Sequence, residues 1–314
     1  MKAVFYAQTG GPEVLQLGAR PTPALSPDQV LIRVHATALN PIDCEIRQGK
    51  FGFLMKSKLP RIPGSDFAGM VVEVGANAQG VSVGEKVYGM SSTRIGGAAA
   101  EYIAIRPAEI GIMPPNCSFA EAASMPLAAL TSLISLRDLL QIQSGESLLI
   151  NGASGGVGVF AVQMARIMGA KTTAVCSYRN VEMVRELGAD EVVDYTKVKP
   201  IELADRFDAV YDVYGNYPFS RARNLLKPQG RHVSTIPSPG NFWQVFWSRW
   251  QRQRSHVVVV RSRTQDLDQL TAWMTKGELR PVVDQVYPMT EAQEAHAYLE
   301  QRRAKGKVVL KISD

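Results

Sequence analysis

The sequence predicts an α/β fold in which a doubly wound parallel sheet is joined to a second, strand-rich domain. An apolar strand, Ser147 to Ile150, runs through Asn151 into the glycine-rich turn Gly152-Ala153-Ser154-Gly155-Gly156-Val157-Gly158 and then into a helix. Strand and helix patterns go on alternating from Thr172 to Val260. Ahead of them, the first third of the chain has short strands between Gly and Pro turns and no long helix. A chain of 314 residues is long enough for about two domains, each with its own core.

In the first third, Val30 to Ala36 alternates as a half-buried strand does, with Val30, Ile32, Val34 and Ala36 on one side. Phe67 to Val74 and Glu101 to Ile105 read as further strands, with turn signals at Pro63-Gly64, Gly84 and Gly96-Gly97. Together they suggest an irregular β-barrel. Ala120 to Leu140 reads as one helix, in which Thr131 by itself is a buried hydroxyl satisfied on the preceding turn.

The glycine turn reads as a phosphate cradle. Val157, Phe160, Ala161, Met164, Ile167 and Met168 recur at helical spacing, and Gly169 stands where a left-handed cap would end the helix. The helix N-terminus offers free amides and a positive dipole end to an anion such as a pyrophosphate. Relative to G-x-G-x-x-G, Ala153 holds the first glycine position while Gly155 and Gly158 hold the other two. After the second strand, Thr172 to Val175, a dinucleotide fold reads the adenosine ribose, and here the chain is Cys176-Ser177-Tyr178-Arg179-Asn180. An NAD site needs an acid at this point and there is none. The Ser177 hydroxyl and Arg179 guanidinium suit a 2′-phosphate, so NADPH is the expected cofactor, with a solvated loop as the plain alternative for Arg179. Gly152-Ala153-Ser154-Gly155-Gly156 also spells the serine-hydrolase elbow G-x-S-x-G, with His232, His256 and His296 downstream. That alternative leaves Gly158, Ser177 and Arg179 without a role.

Beyond Arg179 the pattern gives a helix from Val181 to Leu187 ending at Gly188, and strands at Glu191 to Tyr195 and Ala209 to Tyr214. A helix from Phe219 to Leu226 and a strand from Arg231 to Ser234 follow. The loops at Tyr214-Gly215 and Thr235-Ile236 fall at the carboxyl ends of parallel strands, so Tyr214 and Ile236 are expected to touch the cofactor. In Asn241 to Arg254, Trp243, Trp247 and Trp250 share a helical face with Phe246, and Arg249, Arg252 and Arg254 cluster just beyond. The commoner uses of such a stripe are a wall over a substrate cleft or a subunit contact. Interfacial membrane attachment through Phe242 to Arg254, and stacking of single-stranded nucleic acid, are the lesser alternatives. Val257 to Val260 reads as an apolar strand able to serve as a dimer edge, Asp266 to Lys276 as a helix, and Glu291 to Arg302 as the closing helix.

The net charge of +6 helps attract a polyanionic cofactor without singling out nucleic acid, which is not expected as a partner. Cys44, Cys117 and Cys176 are too few and too far apart for a disulfide framework or a zinc knuckle. No apolar run approaches a membrane span, and Met1 to Gln8 lacks the apolar segment of a signal peptide, so a cytoplasmic location is expected.

Several stretches resemble the marks of the medium-chain dehydrogenase/reductase superfamily. They are Asn40-Pro41-Ile42-Asp43, Pro63-Gly64-Ser65-Asp66-Phe67-Ala68-Gly69 with Val72-Glu73-Val74-Gly75, Val83-Gly84-Glu85-Lys86-Val87-Tyr88-Gly89, the glycine turn, and Gly306-Lys307-Val308-Val309. They span nearly the whole chain in the expected order. The resemblance implies a Rossmann domain plus a discontinuous GroES-like barrel: residues 119–263 for the former, 1–118 with 264–314 for the latter. It is nearest to the zinc-free quinone oxidoreductase and enone or alkenal reductase branch. Zinc members need a Cys where Asn40 stands, a His where Ser65 stands and a ligand near Leu127, and no metal site is expected here; Cys44 and His35 are two isolated residues.

By that resemblance the chain is a zinc-independent NADPH oxidoreductase. It would transfer hydride to a quinone or to the β-carbon of an α,β-unsaturated carbonyl, and act as a homodimer. Thr131 would lie near the nicotinamide and Tyr195 beside the adenosine phosphate, while Asn40 would donate to the developing oxyanion or hold the nicotinamide ribose. An Asn-Pro turn initiator is the structural alternative for Asn40. Relatives often carry a Tyr or Lys shortly after the Asn-Pro-x-Asp motif, and this chain has Cys44-Glu45-Ile46. A non-enzymatic NADPH-binding regulator, with the Trp/Arg segment as a membrane or RNA surface, is the alternative of a different class.

Overall fold

The computed structural model describes residues 1–50 and 59–313. Contacts divide the chain into two compact units, one of Met1–Leu127, Arg261–Gly277 and Pro281–Asp314, the other of Ala128–Val260 and Glu278–Arg280.

The second unit carries a six-stranded sheet. Its strands are β1 (Ser147–Asn151), β2 (Lys171–Cys176), β3 (Glu191–Asp194), β4 (Phe207–Asp212), β5 (Leu226–Ser234) and β6 (Arg254–Val257). All pairings are parallel and the order is β3-β2-β1-β4-β5-β6, the doubly wound arrangement read from the sequence. The order reverses between β1 and β4, where Asn151 lies in register with Asp212. β1 is buried from Leu148 to Asn151, as its apolar run requires for a strand covered on both faces. The helix Gly158–Ile167 is buried from Gly158 to Ala165, more completely than a one-sided stripe, and Gly169, at φ +75°, ends it in a left-handed cap. Within this helix the buried Gln163 clamps the main chain of Arg280: its Nε2 donates to the Arg280 carbonyl and its Oε1 accepts from the Arg280 N–H, both at 2.9 Å.

Three expectations need correction. The helix read from Ala120 to Leu140 is broken into Phe119–Ala123, Pro126–Leu133 and a wider-wound π turn at Ile134–Leu139. Pro126 lacks an N–H and keeps Met125 out of helical conformation, so the break falls just before it. The helix expected at Phe219 to Leu226 shrinks to Phe219–Ala222 and a 3-10 turn, Arg223–Leu225, because Leu226 already opens β5. The last strand is Arg254–Val257 rather than Val257 to Val260. Hydrogen bonds decide the register there: the Ser255 N–H donates to Ser248 Oγ at 3.0 Å, and Ser255 Oγ lies 3.0 Å from His232 Nδ1.

In the first unit the mixed sheet centres on the strand Val30–Leu39, with Val30, Ile32 and Val34 buried and Arg33 exposed. One side pairs antiparallel with Asp66–Val74. The other side is shared, Val30 to Arg33 with Tyr102–Ile105 and Ala36 to Leu39 with the C-terminal strand Lys307–Lys311. This sharing, with irregularities at Leu31/Ile32 and Val34/Ala36, makes the barrel irregular. Val30, Ile32, Val34, Phe67, Val71 and Val87 form the heart of its core.

Candidate active site

The glycine turn is packed against itself on one side and open on the other. A Cβ on Gly158 would come within 2.2 Å of the Gly152 carbonyl oxygen and 2.7 Å of the Ala153 backbone. One on Gly155 would meet only the Gly152 oxygen, at 3.6 Å. Ala153 is buried, and the Gly152 and Ala153 N–H groups donate to the Val175 carbonyl at 3.2 and 3.0 Å, which fastens the turn to the end of β2. No side chain caps the helix at Val157, and while the Gly155 N–H turns back to the Gly152 carbonyl at 3.3 Å, the Ser154, Gly156, Val157 and Gly158 amides are left for an outside acceptor. The open approach at Gly155 and the uncapped helix fit a dinucleotide pyrophosphate.

Around this turn stand the other residues expected to hold the cofactor. Ser177 begins the 3-10 turn Tyr178–Asn180 directly after β2. Arg179 is exposed; its Nε donates to the Tyr178 hydroxyl at 3.0 Å and its guanidinium lies 5.5 Å from the Tyr178 ring centre. Tyr195 follows β3, with its N–H on the Cys176 carbonyl at 3.1 Å. Tyr214 follows β4, with its N–H 3.2 Å from the Asn151 carbonyl and its Cβ 3.1 Å from where a Cβ on Gly152 would stand. Ile236 follows β5 and packs on Gly215. All sit beyond carboxyl ends of the parallel sheet.

Sequence reasoning missed the polar side chains that hold these loops. Asp212 accepts from Asn151 Nδ2 at 2.7 Å and from the Gly215 and Tyr217 N–H groups at 2.9 and 2.8 Å. Burial pushes its carboxyl up, and those hydrogen bonds pull it back. The available signal was a polar residue closing an apolar strand, twice. Asn180 was missed too; its Nδ2 donates to Ser154 Oγ at 3.0 Å and reaches Ser177 Oγ at 3.5 Å. With Ser154 so engaged, the hydrolase alternative finds no base beside it. His232 is bonded to Ser255 and Tyr217 and pushed down to about 4 by burial, and His296, down to about 3, lies against Cys44.

The first unit holds a buried polar cluster. Asn40 ends the central strand and caps the helix Pro41–Arg47, where the Asp43 carboxylate accepts from the Asn40 N–H at 2.9 Å. So Asn40 does initiate a turn of chain, yet its side chain is engaged elsewhere. Asn40 Nδ2 donates to Asp66 Oδ2 at 3.0 Å and, at 3.4 Å, to the Ala38 carbonyl. Lys307 Nζ donates to Asn40 Oδ1 and to Asp66 Oδ2, the latter at 3.3 Å, and Asp66 Oδ1 accepts from the Leu127 N–H at 2.8 Å. Lys307, Asp66 and Asp43 were not singled out from the sequence; Asp66 and Lys307 each open a strand and Asp43 lies in the first turn of a helix. Thr131 is buried in the other unit, with its carbonyl 3.4 Å from the Tyr211 hydroxyl. Asn40 and Thr131 thus belong to different units.

These residues do not fit a metal. The acceptors of Asn40 and Asp66 are turned to an ammonium of the chain itself, and among the described residues no three of His, Cys, Asp and Glu gather as ligands. Cys44 lies 3.4 Å from His296 Nδ1, His35 stacks on Phe119 at 4.1 Å, and Glu45 pairs with Arg302 at 3.7 Å.

Burial raises the Asp43 carboxyl to about 6, against the opposing hydrogen bond from Asn40. A carboxyl raised above its unfolded value binds more protons in the folded state, so its share of stability falls as pH rises from about 4 to 6, by about 3 kcal/mol. Asp43→Asn should flatten that part of the curve. Urea midpoints measured across the interval for both proteins would disprove the assignment if their slopes coincide.

The aromatic segment is the helix Pro239–Ser248 and its continuation. Phe242, Trp243, Phe246, Trp247 and Trp250 are all exposed, and the rings of Trp243 and Trp247, and of Phe246 and Trp250, meet edge to face at 5.6 and 4.9 Å. Among the described residues no helix is long and apolar enough to cross a membrane.

Comparison with known proteins agrees with this architecture. Residues 26–130 match the Alcohol dehydrogenase GroES-like domain family and residues 187–310 the Zinc-binding dehydrogenase family. The chain is 36% identical to the 2-methylene-furan-3-one reductase of Solanum lycopersicum, over 99% of this chain and 79% of that protein. Identity and coverage are the same for the chloroplastic NADPH-dependent alkenal/one oxidoreductase of Arabidopsis thaliana. The solved quinone oxidoreductase from Coxiella burnetii superposes with a TM-score of 0.93 at 32% identity, over 100% of this chain and 99% of that one. A glycine turn at the switch point of a doubly wound sheet, a GroES-like unit around Asn40 and relatives of this identity lead to one conclusion: the chain belongs to the medium-chain dehydrogenase/reductase superfamily, in the branch of quinone oxidoreductases and alkenal or enone reductases.

Proposed function

We propose that this chain is an NADPH-dependent reductase of electron-poor acceptors, a quinone or the carbon–carbon double bond of an α,β-unsaturated carbonyl. The carrying observation is the open, uncapped glycine turn with Ser177 and Arg179, and no acid, at the ribose-reading position. Bound NADPH supplies the hydride. In this reading the turn from Ala153 to Gly158 holds the pyrophosphate, with the Ser154, Gly156, Val157 and Gly158 amides as its donors, Ser177 and Arg179 hold the 2′-phosphate, and Tyr195, Tyr214 and Ile236 wall the nucleotide. Asn40 and Thr131 are the residues assigned to the nicotinamide and the acceptor, the first in the barrel domain of 1–118 with 264–314, the second in the Rossmann domain of 119–263. The long 3.4 Å contact of Asn40 Nδ2 with Ala38 is the bond that a developing oxyanion would take over.

Steady-state consumption of NADPH and NADH against a panel of quinones and 2-alkenals tests the reading, which fails if no acceptor oxidises NADPH. Arg179→Glu should lower the NADPH to NADH preference at least tenfold, about 1.4 kcal/mol. An unchanged ratio would remove Arg179 from the site.

The same reading places the protein in the cytoplasm as a homodimer. The exposed aromatic face beside the free edge of β6 supports a second copy of this chain as its cover. Sedimentation equilibrium should give a dimer that Trp247→Glu weakens, and a monomer at micromolar concentration would refute it.

A further inference from the structure

Asn180 joins two hydroxyls that come from separate parts of the chain. Ser154 belongs to the glycine turn and Ser177 to the end of β2, and one amide nitrogen donates to both, at 3.0 and 3.5 Å. A serine oxygen that accepts a hydrogen bond still has one O–H to give, and neither oxygen is bonded to a carboxylate or an imidazole that would take it. Ser177 stands at the cap of a 3-10 turn without making a side-chain cap bond, so its hydroxyl is not spent on the backbone. The other end of the same amide, Asn180 Oδ1, is buried without a hydrogen-bond partner.

We propose that Asn180 is a positioning residue for nucleotide selectivity. It turns the Ser154 and Ser177 hydroxyls into donors for a 2′-phosphate, with its amide nitrogen holding both oxygens. Two hydroxyls held by one amide and free to donate match the acceptor oxygens of a single phosphate. Arg179 brings charge, but it is exposed and leans on its neighbour Tyr178. The geometry comes from Asn180. The inference rests on the NADPH reading and adds to it the residue that orders the subsite.

Calorimetric titration of the full-length protein with 2′,5′-ADP and 5′-AMP, which carry no nicotinamide, tests it. Wild type should prefer 2′,5′-ADP. Asn180→Ala should weaken 2′,5′-ADP about tenfold, the worth of one hydrogen bond to a charged group, and 5′-AMP no more than about twofold. Asn180→Asp keeps the shape without the donor, should lose the preference as well, and covers the case in which the alanine variant does not fold. In a Ser154→Ala/Ser177→Ala background, Asn180→Ala should change 2′,5′-ADP affinity by less than about twofold, because its action runs through those hydroxyls. If wild type prefers 2′,5′-ADP and both Asn180 variants keep that preference, the inference is overturned. If wild type shows no preference, the NADPH reading falls and the inference with it.

Discussion

Lys307→Met should destabilise the protein by about 3–5 kcal/mol at pH 8, the usual cost of stripping one partner from a buried ion pair. Lys307 and Asp66 are both buried, and the ammonium is the main influence holding down a carboxyl that burial drives up. Without Lys307, Asp66 keeps its bonds from Asn40 and the Leu127 N–H, but no counter-charge remains in this cluster. The carboxyl then escapes its penalty by taking a proton. A raised pKa makes the folded state the better proton binder, so the loss should be largest at alkaline pH and shrink towards acid. Adding Asp66→Asn to Lys307→Met should return most of the stability, because the double variant leaves no unpaired charge at either of these two positions. Urea denaturation at pH 6 and pH 8 checks both statements. A Lys307→Met protein within about 0.5 kcal/mol of wild type at pH 8 would show that the pair is not coupled as described.

Gly158→Ala should cost about 3 kcal/mol and remove measurable NADPH binding. The added methyl would lie 2.2 Å from the Gly152 oxygen and 2.7 Å from Ala153 Cα, atoms of main chain that no rotamer change can move. Relief requires the first turn of the helix to lift from β1, which also moves the amides of the cradle. Gly155→Ala is the control: its methyl meets nothing closer than 3.6 Å, so folding should be unaffected while nucleotide affinity drops. Thermal denaturation and quenching of NADPH fluorescence separate the two effects. Wild-type affinity in Gly158→Ala would contradict the close packing of the turn.

The parallel sheet was legible because its signals are local. β1, the glycine turn and the following helix lie within about 20 consecutive residues, and each obeys the pattern of its own element. The breaks were less legible where two local rules competed. Apolar spacing carried the helix across Met125-Pro126, although the proline rule should have prevailed. Likewise the valine run at 257–260 outweighed Ser255, whose bonds to Ser248 and His232 set the register. The cluster at Asn40 was hidden for another reason. Asn40, Asp66 and Lys307 are drawn together from sequence separations of 26 and 241 residues, and no local pattern announces that three polar residues will be buried together. Asn180 escaped in the same way, since its meaning depends on Ser154, 26 positions earlier.

The clamp of Gln163 on Arg280 bears on how this fold can be dissected or recombined. The nucleotide-binding unit is not one uninterrupted gene segment, since Glu278–Arg280 returns to it after an excursion through the other unit. A fragment cut at residues 128 and 260 would lose both bonds of Gln163 to Arg280 and leave its amide only the Val159 carbonyl, at 2.8 Å. The two lost bonds are worth about 1–3 kcal/mol together. Chimaeras that exchange nucleotide domains between relatives should therefore carry this tripeptide with its donor or keep glutamine at 163, and a library that ignores the tripeptide will score junction damage as incompatibility.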